Sequence, residues 1–209
     1  MTSTTLTGSF NTITTISSSY EWQVQGLLTA LQPAVNADKS LTYQTAVTDA
    51  EHAGVSLGMS LRSMTLASKV TMPAEGLGEI VQSTLGAMLS GQPQEPGMTS
   101  WTYDTALADL LGPALETAFA NVAGSRNQPW FGWGAATAGS TVYNYNLLFA
   151  YNGTNAPASY ISIFILGLTV TVNLSEQQLL SLTPGTSATY TVTGTTIPGM
   201  ITGKTQTLP

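Results

Sequence analysis

The sequence predicts a layered α/β domain in which helices cover one large β-sheet. Two pairs of segments place apolar residues at helical spacing, and extended runs rich in β-branched and aromatic residues follow after residue 130. The chain of 209 residues is long enough to bury a core of that size. Each predicted helix has one apolar stripe, so the helices need the sheet to cover them.

The N-terminal segment predicts an edge strand and a first helix. Residues 3–16 alternate loosely between apolar side chains and Thr or Ser, which fits an edge strand or an ordered arm. Ser18 or Ser19 can cap a helix that begins near Tyr20. Pro33 should end or kink this helix, because proline lacks a backbone donor. The apolar face of the helix consists of Val24, Leu27, Leu28, Leu31 and Val35.

A second short helix completes the first helical hairpin. Residues 41–53 predict this helix, with Ser40 as its cap and Gly54 at its end. The first hairpin therefore spans about residues 20–53. Residues 55–72 mix apolar residues with Ser, Thr and Arg, and they predict one bent strand or two.

The second hairpin has the stronger helical pattern. Residues 73–89 predict a helix with a proline and a glutamate in its first turn. A Pro/Gly-rich loop separates it from a helix that Thr102 or Asp104 caps and Gly124 ends. This hairpin spans about residues 73–123. The residues expected to pack the helical layer are Leu77, Ile80, Val81, Leu85, Leu107, Leu110, Leu111, Leu115 and Phe119.

Long strands dominate the C-terminal part of the chain, about residues 130–195. Runs over 143–151, 160–174 and 187–195 predict three of them, and 175–180 predicts a helical turn. The middle run is long enough to span a bilayer core, which takes about 9–11 residues of a strand. A central strand that is buried on both faces explains its continuous apolar sequence equally well.

Composition excludes several classes of function. The net charge is −6 and the five basic residues are scattered, so the clustered positive face that nucleic-acid binding requires is missing. The absence of cysteine excludes disulfides and thiolate chemistry. The first residues show no secretory leader, and no run of about 18 apolar residues predicts a transmembrane helix.

The titratable residues form no catalytic constellation. His52 is the only histidine and lies on a polar helix, where a solvated or hydrogen-bonded histidine is the simpler interpretation. Glu75 and Glu79 lie four residues apart near a helix start, where they favour the helix dipole. The Gly-rich run 132–139 contains no lysine and opens no helix, unlike a phosphate-binding loop. We therefore expect no enzyme activity, no metal and no cofactor.

Six segments, in this order, give the chain a family resemblance. They are LGEIVQSTLGAMLSG (77–91), ETAFANV (116–122), WFGWG (130–134), YNYNLLFAYN (143–152), SYISIFILGLTVTVNLSEQQLL (159–180) and SATYTV (187–192). Through these segments the chain resembles the Cyt family of cytolytic δ-endotoxins, and with it the fungal volvatoxin-like cytolysins.

The resemblance implies a fold and a mode of action. The fold would be a single-domain, three-layer α-β-α sandwich over residues 1–209, with a mostly antiparallel sheet wrapped by the two helical hairpins. The family consists of non-enzymatic toxins that bind membrane lipid and permeabilise cells. In one model for the family, the helical layers swing away while the long C-terminal strands insert and oligomerise. In another model, the toxins act like a detergent.

Apolar residues of the two strongest strands are the candidate membrane-inserting residues. After insertion they would contact lipid or pack between strands, and in the folded protein an ordinary sheet core explains them equally well. They are Leu147, Leu148, Phe149, Ile161, Ile163, Phe164, Ile165, Leu166, Leu168, Val170 and Val172.

The expected partners are a lipid membrane and further copies of the chain on it. The negative charge predicts a preference for zwitterionic or neutral phospholipid, since each Lys or Arg near an anionic surface contributes about 1 kcal/mol. In solution we expect a monomer or a dimer. Both ends look short beside bacterial family members, which leaves proteolytic activation open. We expect release without a recognisable signal peptide and action at a target cell membrane.

Two alternative functions stay open. One is a non-lytic carbohydrate- or lipid-binding module on the same fold, in which Trp101, Trp130 or Trp133 stacks on sugar. The other is a self-assembling structural protein, because charged residues make up only 8% of the chain against about 25% in typical proteins.

Overall fold

A computed structural model describes residues 8–57, 64–90, 105–134, 137–151 and 160–202. Its strands are β1 (Asn11–Thr15), β2 (Ser56–Leu57), β3 (Met64–Pro73), β4 (Phe131–Trp133), β5 (Thr141–Tyr151), β6 (Tyr160–Val172) and β7 (Ser187–Thr202). Its α-helices are α1 (Glu21–Ala30), α2 (Tyr43–His52), α3 (Ala74–Ser90), α4 (Thr105–Ala120), α5 (Val122–Ser125) and α6 (Glu176–Leu180). The predicted order of strand, helical hairpin, strands, helical hairpin and C-terminal strands is confirmed.

The strands form one mixed sheet that is mostly antiparallel, as predicted. The strand order is β1-β5-β6-β7-β2, with β3 also pairing β7 and β4 also pairing β5. β1 runs parallel to β5, and the other pairs are antiparallel. β6 lies between β5 and β7 from Ser162 to Val172, so it has paired neighbours on both sides over nearly all its length. β5, β6 and β7 therefore form the continuous middle of the sheet.

Helices cover both faces of this sheet, which gives the predicted three layers. Successive side chains of a strand point to opposite faces, so each central strand contributes to two separate cores. The face that packs against α3 and α4, here the α3–α4 face, includes Tyr143, Phe149, Phe164, Leu166 and Val192. The face that packs against α1 and α2, here the α1–α2 face, includes Leu148, Ile161, Ile163, Ile165 and Ile197.

The predicted caps of the first hairpin are wrong. Ser18 and Ser19 belong to a 3₁₀ turn, Ser18–Tyr20, and α1 begins at Glu21 without a side-chain cap. α2 begins at Tyr43 rather than near residue 41. Ser40 does not cap it, because its hydroxyl donates to the Asp38 carboxylate at 2.7 Å. Ser19 and Ser40 thus form side-chain hydrogen bonds within the segment that leads into the helix, with Ser17 and Asp38 respectively.

Two predicted boundaries of the second hairpin also change. Pro73 ends β3, where it pairs with Ser187, and the helix starts one residue later. Gly124 does not end α4, which stops at Ala120. Instead the Asn121 side chain accepts a hydrogen bond from Gly124 and caps the short α5. The predicted caps Thr102 and Asp104 lie outside the described residues.

The C-terminal strands differ from the prediction in length. β6 ends at Val172, two residues early, and β7 continues to Thr202 rather than stopping at 195. Pro198 suggests a strand end in the sequence, yet it pairs with Phe164 inside the ladder. The predicted helical turn is α6, which a capping box between Ser175 and Gln178 begins. In the described chain, no helix combines the length and the apolar character needed to cross a bilayer.

Candidate membrane-active sheet

The candidate membrane-inserting residues all lie in the interior of the folded sheet. Each is at most 1% exposed. On the α3–α4 face lie Leu147, Phe149, Phe164, Leu166, Leu168, Val170 and Val172. On the α1–α2 face lie Leu148, Ile161, Ile163 and Ile165. Because the set divides between two faces, moving one helical layer would uncover only part of it. Contact with lipid after insertion stays a prediction.

The predicted helical-layer residues form the apolar surface that covers the α3–α4 face. Those that are fully buried in this core are Leu77, Val81, Leu85, Leu111, Leu115 and Phe119. Ile80 and Leu110 are partly buried against the same core. The side chain of Leu107 lies outside the described part of the chain. The apolar stripes read from the sequence therefore give the correct face of both helices.

α3 and α4 are closely joined to each other. A Cβ atom placed on Gly78 would lie 3.7 Å from the Cβ of Leu115, so the two helices approach nearly to backbone contact there. The Gln82 side chain donates a hydrogen bond to the Ala108 carbonyl at 3.0 Å. These contacts make the two helices a single packing unit.

Side-chain hydrogen bonds join this helical unit to the sheet. The Tyr143 hydroxyl donates to the Ala118 carbonyl at 3.0 Å. The Thr84 hydroxyl lies 2.8 Å from the Ile80 carbonyl of its own helix and 3.3 Å from the Leu66 carbonyl of β3, and its one proton is shared between them. Tyr143 is completely buried, and its burial raises its pKa well above the usual value. The phenol therefore stays neutral and keeps its donor at physiological pH.

An aromatic cluster fills one end of the α3–α4 face. The ring of Phe131 stacks on Tyr143 at 5.3 Å and meets Trp133 edge-on at 5.4 Å. Tyr145 also packs edge-on against Phe131, with ring centroids 6.1 Å apart. Such pairs contribute about 0.5–1.5 kcal/mol beyond the burial of their area. The cluster fixes the short strand β4 against β5.

The α1–α2 face has an apolar part and a polar part. Its apolar part lies under α1 and α2, as described above. Its polar part continues along the same strands through Asn144, Asn146, Thr169, Thr171 and Thr193. Asn144 lies opposite Thr169, and Thr169 lies opposite Thr193. The Thr171 side chain is exposed, so part of this face contacts water in the folded protein.

The loop between α1 and α2 lies on this polar part, and residues 36–41 are here called the docking loop. The Asn144 amide donates to the Asp38 carbonyl at 3.2 Å. The Asn146 amide donates to the Lys39 carbonyl at 2.8 Å. Asn146 is completely buried. The loop thus provides backbone acceptors to the NH2 groups of two amides on β5. The Asn144 oxygen accepts from the Thr169 hydroxyl at 2.8 Å, whereas the buried Asn146 oxygen has no hydrogen-bond donor among the described residues.

Two glycines allow the docking loop to approach the sheet this closely. A Cβ on Gly132 would collide with the Asp38 carbonyl oxygen. A Cβ on Gly167 would lie 2.7 Å from the Cβ of Leu41, closer than real Cβ contacts. Lys39 adopts a left-handed φ of 66°, which turns the loop at this point. The loop backbone therefore packs directly on the sheet at Gly132, and the Leu41 side chain packs directly on it at Gly167.

The sequence contained a usable signal for these residues. Asn144 and Asn146 are two positions apart in a strand that is otherwise apolar or aromatic, so they share one face and need buried partners. Nothing in the sequence shows that the partners lie more than 100 residues earlier in the chain. For the same reason Gly132 and Gly167 gave no indication of the docking loop.

The described residues show no arrangement of groups for catalysis or metal binding. No group of three or more His, Asp or Glu residues within the described ranges could hold a metal ion. His52, Glu75 and Glu79 are exposed. The Glu75 carboxylate accepts a hydrogen bond from the Gly185 amide at 3.0 Å, which joins α3 to the loop before β7. Glu75 thus has a structural role.

Two of the three tryptophans that were predicted to stack on sugar lie in the described part of the chain. Trp130 and Trp133 are partly buried and pack against the α3–α4 core. Trp101 lies outside the described residues. Trp22, which the sequence did not single out, is 45% exposed and borders a cavity of about 470 Å³ that His52 and Ile201 also line. Trp130 and Trp133 are therefore partly used in packing the fold, and sugar stacking stays a prediction.

A family model described as Bacillus thuringiensis toxin matches residues 3–201. The chain belongs to the Bacillus thuringiensis toxin family. This confirms the resemblance to the Cyt endotoxins, while the likeness to fungal volvatoxin-like proteins stays a prediction. The match includes both helical hairpins and the strands up to Ile201, so it covers both faces of the sheet.

Relatives in this family are cytolytic δ-endotoxins. The chain is 30% identical over 115 residues to the type-1Aa cytolytic delta-endotoxin of Bacillus thuringiensis subsp. morrisoni, which covers 54% of the chain and 40% of that protein. It is 23% identical over 190 residues to the type-2Aa cytolytic delta-endotoxin of Bacillus thuringiensis subsp. kyushuensis, and this match covers 88% of the chain and 67% of that protein. The chain thus spans less than half of the first relative and about two thirds of the second.

Solved structures support the fold independently. A δ-endotoxin structure superposes with a TM-score of 0.77 at 19% identity and covers 100% of this chain and 88% of its own. The activated Cyt2Ba monomer from Bacillus thuringiensis subsp. israelensis superposes with a TM-score of 0.73, also at 19% identity. The match covers 93% of this chain and 98% of the Cyt2Ba chain. The three-layer fold is therefore that of the Cyt endotoxins.

Proposed function

We propose that this protein permeabilises membranes as a non-enzymatic cytolysin, and that residues 1–209 act as one domain. The single observation that carries the proposal is that β5 and β6 contribute apolar residues to two faces of the sheet, each covered by its own helical layer. The names of its relatives, cytolytic δ-endotoxins, support the same activity. The site of action would be the membrane of a target cell.

The energetics of uncovering the sheet support insertion. Moving apolar sheet surface from water into hydrocarbon is favourable by about 25 cal/mol of free energy for each Å². Transfer of about 400 Å² therefore contributes about 10 kcal/mol, which is comparable with the whole stability of a domain. A bilayer can thus replace a helical layer as the cover of the sheet, whereas water cannot.

The central strands are long enough for this role. β6 spans Tyr160–Val172 and β7 spans Ser187–Thr202, and a membrane-spanning strand needs about 9–11 residues. The apolar residues of β5 and β6 would be the inserting ones: Leu147, Leu148, Phe149, Ile161, Ile163, Phe164, Ile165, Leu166, Leu168, Val170 and Val172. Among them, the residues that face the helical layer displaced from the sheet would contact lipid first.

Insertion requires several copies of the chain. The backbone groups at the edge of an open sheet have no partners in hydrocarbon, and each unpaired group costs several kcal/mol. Strand pairing between copies removes these edges. We therefore propose a homo-oligomer on the membrane, formed from a monomer or dimer in solution.

Release of a trapped dye from lipid vesicles tests the proposal. Vesicles of phosphatidylcholine and phosphatidylethanolamine should leak at micromolar protein, and membrane-bound protein should crosslink into oligomers. With a net charge of −6, the protein should lyse zwitterionic vesicles at least as well as anionic ones. Binding to glycans or vesicles without any leakage would refute cytolysis and support the non-lytic binding module. Regular assembly without lipid would support the structural protein.

A further inference from the structure

We infer that the sheet meets lipid hydrocarbon only through its α3–α4 face, while the docking loop keeps the α1–α2 layer in place. The threonine-rich part of the α1–α2 face then stays in contact with water. This inference rests on the proposed function, because it assumes that the protein permeabilises bilayers. It adds which layer leaves the sheet and which face of each strand contacts lipid.

The α3–α4 face of β6 has the right length and chemistry for hydrocarbon. It carries Phe164, Leu166, Leu168, Val170 and Val172, which are all buried and apolar. These positions span about 27 Å at about 3.3–3.4 Å per residue. The hydrocarbon core of a bilayer is about 30 Å thick. This face of β6 is therefore apolar over nearly the full width of a bilayer.

The opposite face of the same strands is unsuited to hydrocarbon over half its length. Asn144 and Asn146 of β5 lie there beside Gly167, Thr169 and Thr171 of β6. Amide side chains removed from water without partners carry a large cost. In the folded protein both amide NH2 groups donate to the docking loop, while the Asn144 oxygen also accepts from the Thr169 hydroxyl and the Asn146 NH2 group has a second, longer contact with the Ser9 carbonyl at 3.5 Å. Moving the α1–α2 layer away would remove the acceptors that the loop provides to the two NH2 groups.

The two layers are therefore attached in different ways. Under the α1–α2 layer, the docking loop lies on Gly132 through the Asp38 backbone and on Gly167 through the Leu41 side chain. The α3–α4 layer instead covers its face with apolar side chains, and the Tyr143 and Thr84 hydroxyls join it to the sheet. Lipid replaces apolar side chains well, but it cannot replace a buried amide–carbonyl hydrogen bond. The α3–α4 layer is accordingly the one that a bilayer displaces.

Lysine substitutions on the water-exposed face test this without disturbing the core. Thr171 is exposed and Thr193 is partly exposed, so Thr171→Lys and Thr193→Lys should fold normally. If this face stays in water, both variants release dye within about threefold of the parent rate, and their pores shift in selectivity toward anions. If this face enters lipid, the charge lies in hydrocarbon and release falls by about tenfold or more.

Single-cysteine labelling gives a second test that does not depend on charge. The chain contains no cysteine, so Val172→Cys and Thr171→Cys can each carry one environment-sensitive dye. On vesicles, nitroxide attached to lipid chains should quench the dye at 172, and aqueous iodide should quench the dye at 171. In Ile165→Cys, under the α1–α2 layer, the thiol should stay unreactive toward a maleimide in the membrane-bound state.

The outcomes separate this inference from the function on which it rests. Parent protein that never releases dye would overturn the proposed cytolysis itself. If the parent protein releases dye, any one of three results would overturn one-sided opening alone. These are loss of activity in the lysine variants, equal lipid quenching at both labelled positions, and a maleimide-reactive Ile165→Cys thiol. If the label at 172 prevents folding, the lysine variants and the Ile165→Cys thiol still decide the question.

Discussion

The two faces of the sheet are both covered by helices through apolar packing, but only the α1–α2 cover includes a loop that two buried asparagines of the sheet bind. On the α3–α4 face, side chains such as Leu77, Leu85 and Phe119 pack on the aromatic and aliphatic residues of β5 and β6. On the α1–α2 face, the docking loop adds hydrogen bonds to two buried asparagines. The first kind of contact has a ready substitute in a bilayer, and the second does not.

This difference teaches that burial by itself does not identify a membrane-inserting surface. Phe164 and Ile165 are adjacent, apolar and completely buried, yet they lie under different layers. They differ in the residues that continue each face along the strands, which are apolar on the α3–α4 face of β6 and include asparagine and threonine on the α1–α2 face. Three predictions, from the largest expected effect to the smallest, test whether the separation is real.

The first prediction weakens each layer by the same substitution. Leu85 of α3 and Leu27 of α1 are both buried, and Leu→Ala in a core costs about 2–5 kcal/mol of unfolding free energy. We expect both variants to lose stability in urea. Only Leu85→Ala should release dye several-fold faster than the parent, since it loosens the layer that has to leave. Equal acceleration by Leu27→Ala would remove the distinction between the layers.

The second prediction concerns the close approach of the docking loop. Gly132→Ala places a methyl group against the Asp38 carbonyl, and overpacking of this kind costs about 1–3 kcal/mol. Gly26→Ala is the matched control, because a Cβ there meets nothing within 4 Å and alanine favours the helix. Urea unfolding should show a loss for Gly132→Ala and no loss for Gly26→Ala. Similar stabilities in the two variants would contradict backbone contact at Gly132.

The third prediction uses pH to address the α3–α4 face. Burial raises the pKa values of Tyr143, Tyr145 and Tyr190 in the folded state, and all three belong to this core. The unfolded chain therefore releases these protons first, and stability falls as pH rises above about 10. Each tyrosine contributes up to about 1.4 kcal/mol per pH unit.

Raising the pH above about 10 should consequently loosen the α3–α4 layer before the α1–α2 layer. Hydrogen exchange cannot be followed easily at such pH, so thiol reactivity is the better measurement. Above pH 10, the thiol of Val170→Cys should become reactive at a lower pH than that of Ile165→Cys. Simultaneous exposure of both thiols would mean that the two layers open together.

The sequence predicted the layers well and their attachment poorly. Helical stripes such as Leu77–Val81–Leu85 and continuous strands such as β6 follow from local periodicity, which the sequence carries directly. The docking loop depends on contacts between residues 38–41 and β5 or β6, which local patterns do not encode. The caps at Ser19 and Ser40 were wrong because loop hydrogen bonds competed for the same side chains, and Ser18 lies in the 3₁₀ turn before the helix.

A cysteine lock between α3 and the sheet tests the central claim most directly. The Thr84 hydroxyl of α3 lies 3.3 Å from the Leu66 carbonyl of β3, and the next residue, Ala67, belongs to the α3–α4 core, so Thr84→Cys with Ala67→Cys is the pair chosen to join the layer to the sheet. The control is Gly78→Cys with Leu115→Cys, whose Cβ separation of 3.7 Å suits a disulfide within the layer. The account predicts that the oxidised lock abolishes dye release, that reduction restores it, and that the control releases dye in both states. Undiminished release from the oxidised lock would contradict the account.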